Sequence, residues 1–157
     1  MEQRTGIAGL TGSFKESIMD LPPGSKVAFI GSVAVCTPFA ELLCYAVKDL
    51  GFKLVYVPKA NLALARNIVW IENVGFSASG ESADPKGADA IVILGGLAMP
   101  KFGCPVDQVK SAIQAISKDK GTRVVGVCFM SIFERSGWTN ELPFNKVIDA
   151  TMTVQMK

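Results

Sequence analysis

The sequence contains no histidine, and this absence excludes several kinds of chemistry at once. Without an imidazole, the chain cannot form a Ser-His-Asp or Cys-His catalytic arrangement of its own, nor a metal site with histidine ligands. None of the four cysteines belongs to a C-x-x-C pair, so the usual spacings of structural zinc sites and ferredoxin-type clusters are missing too. We therefore predict no metal site, and we expect reduced thiols.

Charged residues are scarce. They make up 19% of the chain, whereas apolar residues make up 49%, against about 25% charged residues in an average soluble domain. This shortage leaves little polar surface for a lone monomer, and it favours a homo-oligomer, most simply a dimer. The formal net charge is only +2, and lysine and arginine are scattered, so we expect no nucleic-acid partner.

Long apolar runs are missing as well. No run reaches the roughly 18 residues of a membrane-spanning helix, so we expect no membrane partner. The first 17 residues lack the charged and then apolar layout of a secretory signal. We therefore expect a cytoplasmic protein.

Strand-like and helix-like segments alternate along the chain. Buried strands are predicted at residues 25–32, 52–58, 88–96 and 122–129, and an alternating edge strand at 146–155. Helices are predicted at residues 11–24, 36–51, 105–121 and 131–137. In the second helix, Thr37 is the expected N-cap, and Gly51 follows the end. Residues 68–72 can be read as strand or helix, and residues 75–87 as a loop.

This alternation predicts an α/β fold in one domain, residues 1–157, with residues 1–24 forming a helix and turn that pack on the sheet. The inner strands are apolar throughout, which indicates a mostly parallel sheet covered on both faces. We predict a three-layer, doubly wound sandwich with five or six strands, of the Rossmann-like or flavodoxin-like type. The strand at Lys26 should neighbour the strand at Ala90, which should neighbour the strand at Thr122.

Ligands bind such sheets at the carboxyl ends of the strands. The turns after residues 31, 96 and 127 should lie there, within roughly 10 Å of one another. Main-chain and hydroxyl contacts to a ligand are predicted from Gly31, Ser32, Thr37, Gly95, Gly96 and Ser131, and the helix starting near Thr37 should attract an anion. The main hypothesis is binding of a nucleotide or another phosphate-bearing cofactor of unknown identity. No G-x-G-x-x-G or Walker pattern is present, so the glycines can equally serve only to turn the chain.

Three cysteines, Cys36, Cys104 and Cys128, follow these strands, while Cys44 is predicted to be core. Cys128 leads into a short helix, whose N-terminus would favour a thiolate. A thiol-dependent enzyme or redox protein, with catalytic Cys128 and Cys36 or Cys104 as resolving partner, is the second hypothesis. Three thiols could also hold a soft metal or cluster, although cysteine most often packs as a small apolar residue. A third hypothesis is a non-catalytic subunit that docks on a partner protein.

The segments "KVAFIGSVAVCTPFAELL", "GADAIVILGGLAMPKFGCP" and "RVVGVCFMSIFERSG" resemble a family of small archaeal proteins, chiefly from methanogens. The family is known as a domain of unknown function, so the resemblance implies an archaeal protein and no particular reaction. Locally, "ADAIVILGG" and "VVGVCFMS" are similar to the class I glutamine amidotransferase-like superfamily. That resemblance matches Gly95 and Gly96 to a glycine pair and Cys128 to an elbow cysteine. The chain departs from the pattern at Phe129 and Met130 and in lacking the histidine partner.

Overall fold

The centre of the protein is a six-stranded sheet, seen in a computed structural model that describes residues 2–157. Its strands are β1 (Lys26–Gly31), β2 (Lys53–Pro58), β3 (Arg66–Asn67), β6 (Ala90–Leu94), β7 (Arg123–Phe129) and β8 (Lys146–Ala150). The order is β3-β2-β1-β6-β7-β8, and only β3 runs antiparallel to its neighbour. Two further strands, β4 (Val69–Ile71) and β5 (Gly75–Ser77), form a separate antiparallel hairpin. The predicted mostly parallel, doubly wound sheet is confirmed.

Helices cover both faces of the sheet and give the predicted three layers. They are α1 (Gly6–Ile18), α2 (Thr37–Ala46), α3 (Val106–Ile116), α4 (Ile132–Arg135) and α5 (Trp138–Glu141). Phe14 of α1 and Leu43 of α2 belong to the core on one face. Ile113 of α3, Phe133 of α4 and Trp138 of α5 belong to the core on the other face. None of the helices within residues 2–157 is long and apolar enough to cross a membrane.

The inner strands are apolar throughout because both faces are buried. Every residue of β6 is buried, and consecutive residues feed opposite cores: Val92 packs on the α1–α2 side and Ile93 on the α3–α5 side. Side chains alternate between the two faces of a strand, so a strand covered on both sides needs an apolar residue at each position.

The ends of three helices differ from the prediction. Helix α1 begins at Gly6 instead of residue 11, because Leu10 extends the buried stripe of Phe14 and Ile18 by one turn. The N-cap of α2 is Cys36, and Thr37 is the first helical residue. Helix α2 already ends at Ala46, and α3 already ends at Ile116. In each case the chain leaves the helix before the glycine that was expected to end it.

The segment after β2, which could be read as strand or helix, forms short strands. A single turn of 3-10 helix at Leu62–Leu64 precedes β3 and β4, so residues 68–72 are not helical. Residues 75–87 are not entirely loop, since Gly75–Ser77 forms β5. This strand depends on a contact across the hairpin, where the rings of Trp70 and Phe76 meet edge to face with their centroids 5.3 Å apart.

Two further differences lie near the C-terminus. Gly137 adopts a positive φ of 79° and separates α4 from α5, a helix that the sequence pattern did not indicate. Strand β8 ends at Ala150 instead of residue 155. Ala150 pairs with Phe129, the last residue of β7, so β8 stops where its only neighbour stops. Its predicted position at the edge of the sheet is confirmed.

Candidate functional site

The turns after β1 and β6 meet at the carboxyl edge of the sheet, but side chains of the protein fill the space between them. A Cβ atom added to Gly96 would lie 2.5 Å from Cys36 Sγ and 2.6 Å from Ser32 Oγ. A Cβ added to Gly31 would lie 2.6 Å from both Cys36 Cβ and Tyr56 Oη. Protein atoms therefore pack directly against Gly31 and Gly96, and the lack of a side chain at these positions allows that packing.

A buried polar network fixes this packed region. The Tyr56 hydroxyl donates to the Ser32 carbonyl at 2.7 Å, and Ser32 Oγ lies 3.1 Å from Cys36 Sγ. Ser32 is fully buried, so these contacts satisfy polar groups that water cannot reach. Burial raises the pKa of Tyr56, while a hydrogen bond with Thr37 opposes that shift. The phenol thus stays protonated and ties the end of β2 to the turn after β1.

An open cavity lies on the β2 side of this network. It holds about 330 Å³ and is lined by Val33, Thr37, Tyr56, Pro58, Ala63, Leu64, Arg66, Ala78 and Ser82. Its walls thus come from the turn after β1, the first turn of α2, the end of β2 and the segment that follows β2. Of the residues predicted to contact a ligand, only Thr37 lines it. The site is displaced by one strand from the predicted rim, but it remains at the carboxyl edge of the sheet.

Arg66 is the only cationic side chain that lines the cavity. Its Nη1 donates to the Gly80 carbonyl at 3.0 Å, which holds the side chain against the segment after β5. A guanidinium has five N–H donors, so further donors are available to a ligand. In the first turn of α2, Pro38 has no N–H, and the next two N–H groups are donated to the Cys36 carbonyl. This turn reaches the same cavity through Thr37, and the positive end of the helix dipole lies there. The cavity can therefore neutralise an anion from two sides.

A carboxylate holds the far wall of the cavity in place. Glu41 of α2 accepts a hydrogen bond from the Ala78 N–H at 2.9 Å. This bond connects α2 to the chain that leaves β5, and Ala78 itself lines the cavity. Glu41 thus fixes the distance between two walls of the cavity.

A second polar cluster lies where β7 and β8 end. The Ser131 N–H donates to Asp149 Oδ1 at 3.0 Å, and Ser131 Oγ donates to Asp149 Oδ2 at 2.7 Å. Met130 and Ser131 both have positive φ angles, 54° and 58°, which side-chain-bearing residues seldom adopt. Asp149 therefore stabilises a strained turn. The Ser131 hydroxyl proton, which was predicted to contact a ligand, is donated to this carboxylate.

Cys128 is the second-last residue of β7, and α4 begins shortly after it. Its side chain is buried, and Sγ donates to Asp149 Oδ1 at 3.6 Å. Burial, together with the nearby Asp149 carboxylate, raises the pKa of Cys128 to about 11. The main-chain N–H groups of Ile132 and Phe133, at the start of α4, act to lower the pKa of the same thiol. A lowered pKa was expected, but burial outweighs the two main-chain N–H groups, so the net shift does not favour a thiolate at this residue.

The other cysteines do not assemble into a metal site. Cys104 is half-buried and packs on the α3–α5 core, and burial raises its pKa. Cys44 is fully buried, as predicted. Within residues 2–157, no three cysteine or carboxylate side chains are close enough together to hold a metal ion. The three-thiol alternative is therefore not supported.

Comparison with known proteins identifies relatives over the whole length of the fold. The profile of the family described as uncharacterised proteins conserved in archaea, DUF2124, matches residues 5–153. The chain belongs to this family. An uncharacterised protein from Methanocaldococcus jannaschii is 37% identical over 156 residues, which span 99% of this chain and 92% of the relative. Another, from Methanothermobacter thermautotrophicus, is 32% identical over 150 residues, which span 96% and 92% of the two chains.

A solved structure has the same fold. The crystal structure of a protein of unknown function from Methanothermobacter thermautotrophicus superposes with a TM-score of 0.89 at 31% identity, covering 100% of this chain and 95% of that one. The α/β architecture of this DUF2124 chain thus has an experimental counterpart. The resemblance to the glutamine amidotransferase-like superfamily stays a prediction.

Sequence reasoning missed Tyr56 and Arg66. One signal was available for Arg66, which is the only charged residue between Lys59 and Glu72. A single cationic side chain within such an apolar stretch either is exposed to solvent in a loop or contacts a partner group of opposite charge. No comparable signal marks Tyr56, since a tyrosine near the end of a buried strand usually packs in the core.

The buried ionisable groups predict that this DUF2124 protein loses stability in alkali. The pKa values of Cys44, Tyr56 and Cys128 are all raised by burial. The folded state favours the neutral form of each group. Each group's contribution to the free energy of unfolding is therefore complete below its unfolded-state pKa, about 8.5 for cysteine and 10 for tyrosine. It is lost as the pH rises toward the folded-state value. Thermal unfolding followed by circular dichroism should show a constant midpoint from pH 7 to 8 and a falling one above about pH 9.

A matched variant isolates one of these groups. Cys44→Ala removes a buried thiol, so its midpoint should be lower at pH 7 but should fall less steeply in alkali. Identical pH slopes for the two proteins would show that Cys44 does not contribute to the alkaline loss.

Proposed function

We propose that this protein binds a small phosphate-bearing molecule in the cavity at the carboxyl ends of β1 and β2. The single observation that carries the proposal is that Thr37, the first residue of α2, and Arg66 line the same cavity. Helix N-termini and arginine are the two protein features that most often bind phosphate oxygens. The hydroxyls of Thr37 and Ser82 add two hydrogen-bonding groups to the same walls.

The rest of the cavity suits an uncharged group of the ligand. Val33 and Leu64 line it and are both exposed, so they stand at its opening with apolar surface uncovered. A ring or short apolar group attached to the phosphate would cover them. The volume of about 330 Å³ lies at the low end of ligand sites, which span roughly 300–1,000 Å³. This size favours a ligand no larger than a mononucleotide over a dinucleotide.

The proposal keeps the ligand class that the sequence indicated and changes the residues that bind it. Arg66, Thr37 and Ser82 replace most of the predicted glycine contacts. The ligand roles of Gly31, Gly95 and Gly96 remain predictions, although protein atoms lie beside all three. A cytoplasmic location is part of the proposal.

Charge removal at Arg66 tests the proposed site. Isothermal titration calorimetry with inorganic phosphate, AMP and GMP should detect binding of at least one of these probes. Arg66→Gln removes the charge, and a hydrogen bond to a charged group contributes about 1.5–3 kcal/mol, so affinity should fall roughly 10- to 100-fold. The side chain is exposed, and the fold should be unaffected.

Arg135→Gln is the matched control. Arg135 is also exposed and also donates one hydrogen bond to a main-chain carbonyl, that of Met130 at 2.9 Å, but it does not line the cavity. Its substitution should leave the affinity within about twofold of the wild type. Equal binding by the wild type and Arg66→Gln, or no heat with any of the probes, would contradict the proposal.

A further inference from the structure

Strand β8 is an edge strand with an open outer side. It pairs with β7 only, and no other strand within residues 2–157 lies beyond it. Proteins usually protect such edges with charges, prolines or bulges, because an open edge is a template for another strand. Residues 150–156 contain no charged residue, no proline and no glycine. The continuation of the edge is therefore unprotected, whereas β8 itself carries two charges, Lys146 and Asp149.

The sequence alternates beyond the end of β8 as though the strand continued. Apolar residues occupy the even positions Ile148, Ala150, Met152, Val154 and Met156, and polar residues occupy the odd positions Asp149, Thr151, Thr153 and Gln155. This period is typical of a strand with one face covered. Ile148 and Ala150 do pack against the α1–α2 core. In contrast, Val154 is 83% exposed and Met156 is 100% exposed.

The start of this C-terminal segment, residues 151–157, is held beside β7. The Met130 N–H donates to the Ala150 carbonyl at 2.9 Å, and the Met152 N–H lies 3.5 Å from Met130 Sδ. The segment therefore leaves the sheet at a fixed place. Val154 and Met156 then stay largely uncovered, while the sequence pattern is that of a half-covered strand.

We propose that β8 and residues 151–157 pair antiparallel with the same segment of a second copy, forming a two-fold symmetric dimer with one continuous sheet. Antiparallel pairing of identical segments is self-complementary, as a two-fold interface requires. With Met152 on the two-fold axis, the opposing pairs are Ala150 with Val154, Ile148 with Met156, Thr151 with Thr153, and Asp149 with Gln155. Within residues 148–156 each apolar residue then faces an apolar one and each polar residue a polar one, while Val147 faces Lys157 at the outermost pair.

Neighbouring registers fit less well. Centring the pair on Asp149 would bring two carboxylates together, and like charges directly opposite each other destabilise a sheet. Centring it on Ala150 or Thr151 would place Lys146 opposite Val154 or Met156. The Met152 register keeps the two Asp149 carboxylates apart and still includes most of β8. It leaves one apolar residue opposite a polar one, Val147 with Lys157. The Ala150 and Thr151 registers each leave two such pairs. A dimer also accounts for the low charged fraction of 19%, because part of the apolar surface becomes covered.

Truncation and a matched pair of substitutions test the interface. Native mass spectrometry and light scattering should show a dimer for the full chain and a monomer for a chain that ends at residue 150, with unchanged far-ultraviolet circular dichroism. Val154→Lys should weaken the dimer at least tenfold. Val74→Lys changes an equally apolar residue that is 74% exposed at the tip of the β4–β5 hairpin, and it should leave the dimer intact.

Disulfide crosslinking tests the register. The variants carry Cys104→Ser, because Cys104 is the one native cysteine that is not buried and could itself crosslink. Met152→Cys should form an intermolecular disulfide under mild oxidation, because the two copies of residue 152 lie opposite each other across the axis. Thr151→Cys, one residue away, should crosslink much more slowly. A monomeric full chain, a dimer that survives truncation, or equal crosslinking at the two positions would overturn the proposal.

Discussion

Replacing Gly95 with alanine is expected to lower the free energy of unfolding by about 3 kcal/mol. The new Cβ would lie 2.7 Å from Cys128 Cβ, 3.0 Å from Cys128 Cα and 2.9 Å from Ile132 Cγ2. Cys128 belongs to β7, which is held by neighbours on both sides, so its main chain cannot move aside without disturbing the sheet. Urea unfolding at pH 7, followed by circular dichroism, measures the loss.

Gly12→Ala is the control for this substitution. Gly12 lies within α1, and a Cβ there would meet only Arg4 Nη1, at 3.8 Å. Alanine is the better helix former, so this variant should gain about 0.5–1 kcal/mol. If Gly95→Ala were as stable as the wild type, the region beside Cys128 would have space to spare. The rim between β6 and β7 would then again be a candidate ligand site.

The arrangement of the sheet could be predicted because its signal is local. Strands β1, β6 and β7 are covered on both faces, and this burial appears in the sequence as short runs of apolar, often β-branched residues. The order of the three strands then follows from the right-handed crossovers between parallel strands. No knowledge of distant contacts was needed for either step.

Element ends depended on contacts that the sequence does not reveal. Strand β5 exists because Phe76 meets Trp70 across the hairpin. Strand β8 stops at Ala150 because β7, its only neighbour, stops at Phe129. The alternating pattern continues to residue 156, so the sequence predicted a strand longer than β7 of the same copy can pair with.

The cavity lies at the edge of the sheet where a site was predicted, but mostly different residues line it. The edge follows from topology alone, and Thr37 could be identified because it begins a helix there. Glycines were expected to leave space for a ligand, whereas Cys36, Ser32 and Tyr56 occupy that space. Which side chain fills a gap is decided by packing between distant segments, and a single sequence does not contain that information.

Cys128 is expected to react with iodoacetamide at pH 7 at least 100-fold more slowly than free cysteine. Its pKa of about 11 compares with about 8.5 for an ordinary thiol, so its thiolate fraction at pH 7 is lower by roughly 300-fold. Burial of Sγ slows the reaction further. Alkylation followed by peptide mass spectrometry reports each cysteine separately, and half-buried Cys104 should be modified before Cys128.

The pH dependence and one variant identify the cause of this inertness. The thiolate is the reacting form, so the rate should rise about tenfold per pH unit from pH 7 to 10. The Asp149 carboxylate contributes to the raised pKa, and Asp149→Asn removes its charge, so the variant should react faster at pH 7. Burial is the larger cause, and the variant should still react more slowly than free cysteine. If wild-type Cys128 were instead alkylated at pH 7 at the rate of free cysteine, a thiol-dependent enzyme would be favoured over a binding protein. A buried thiol that serves only packing is not expected to be nucleophilic.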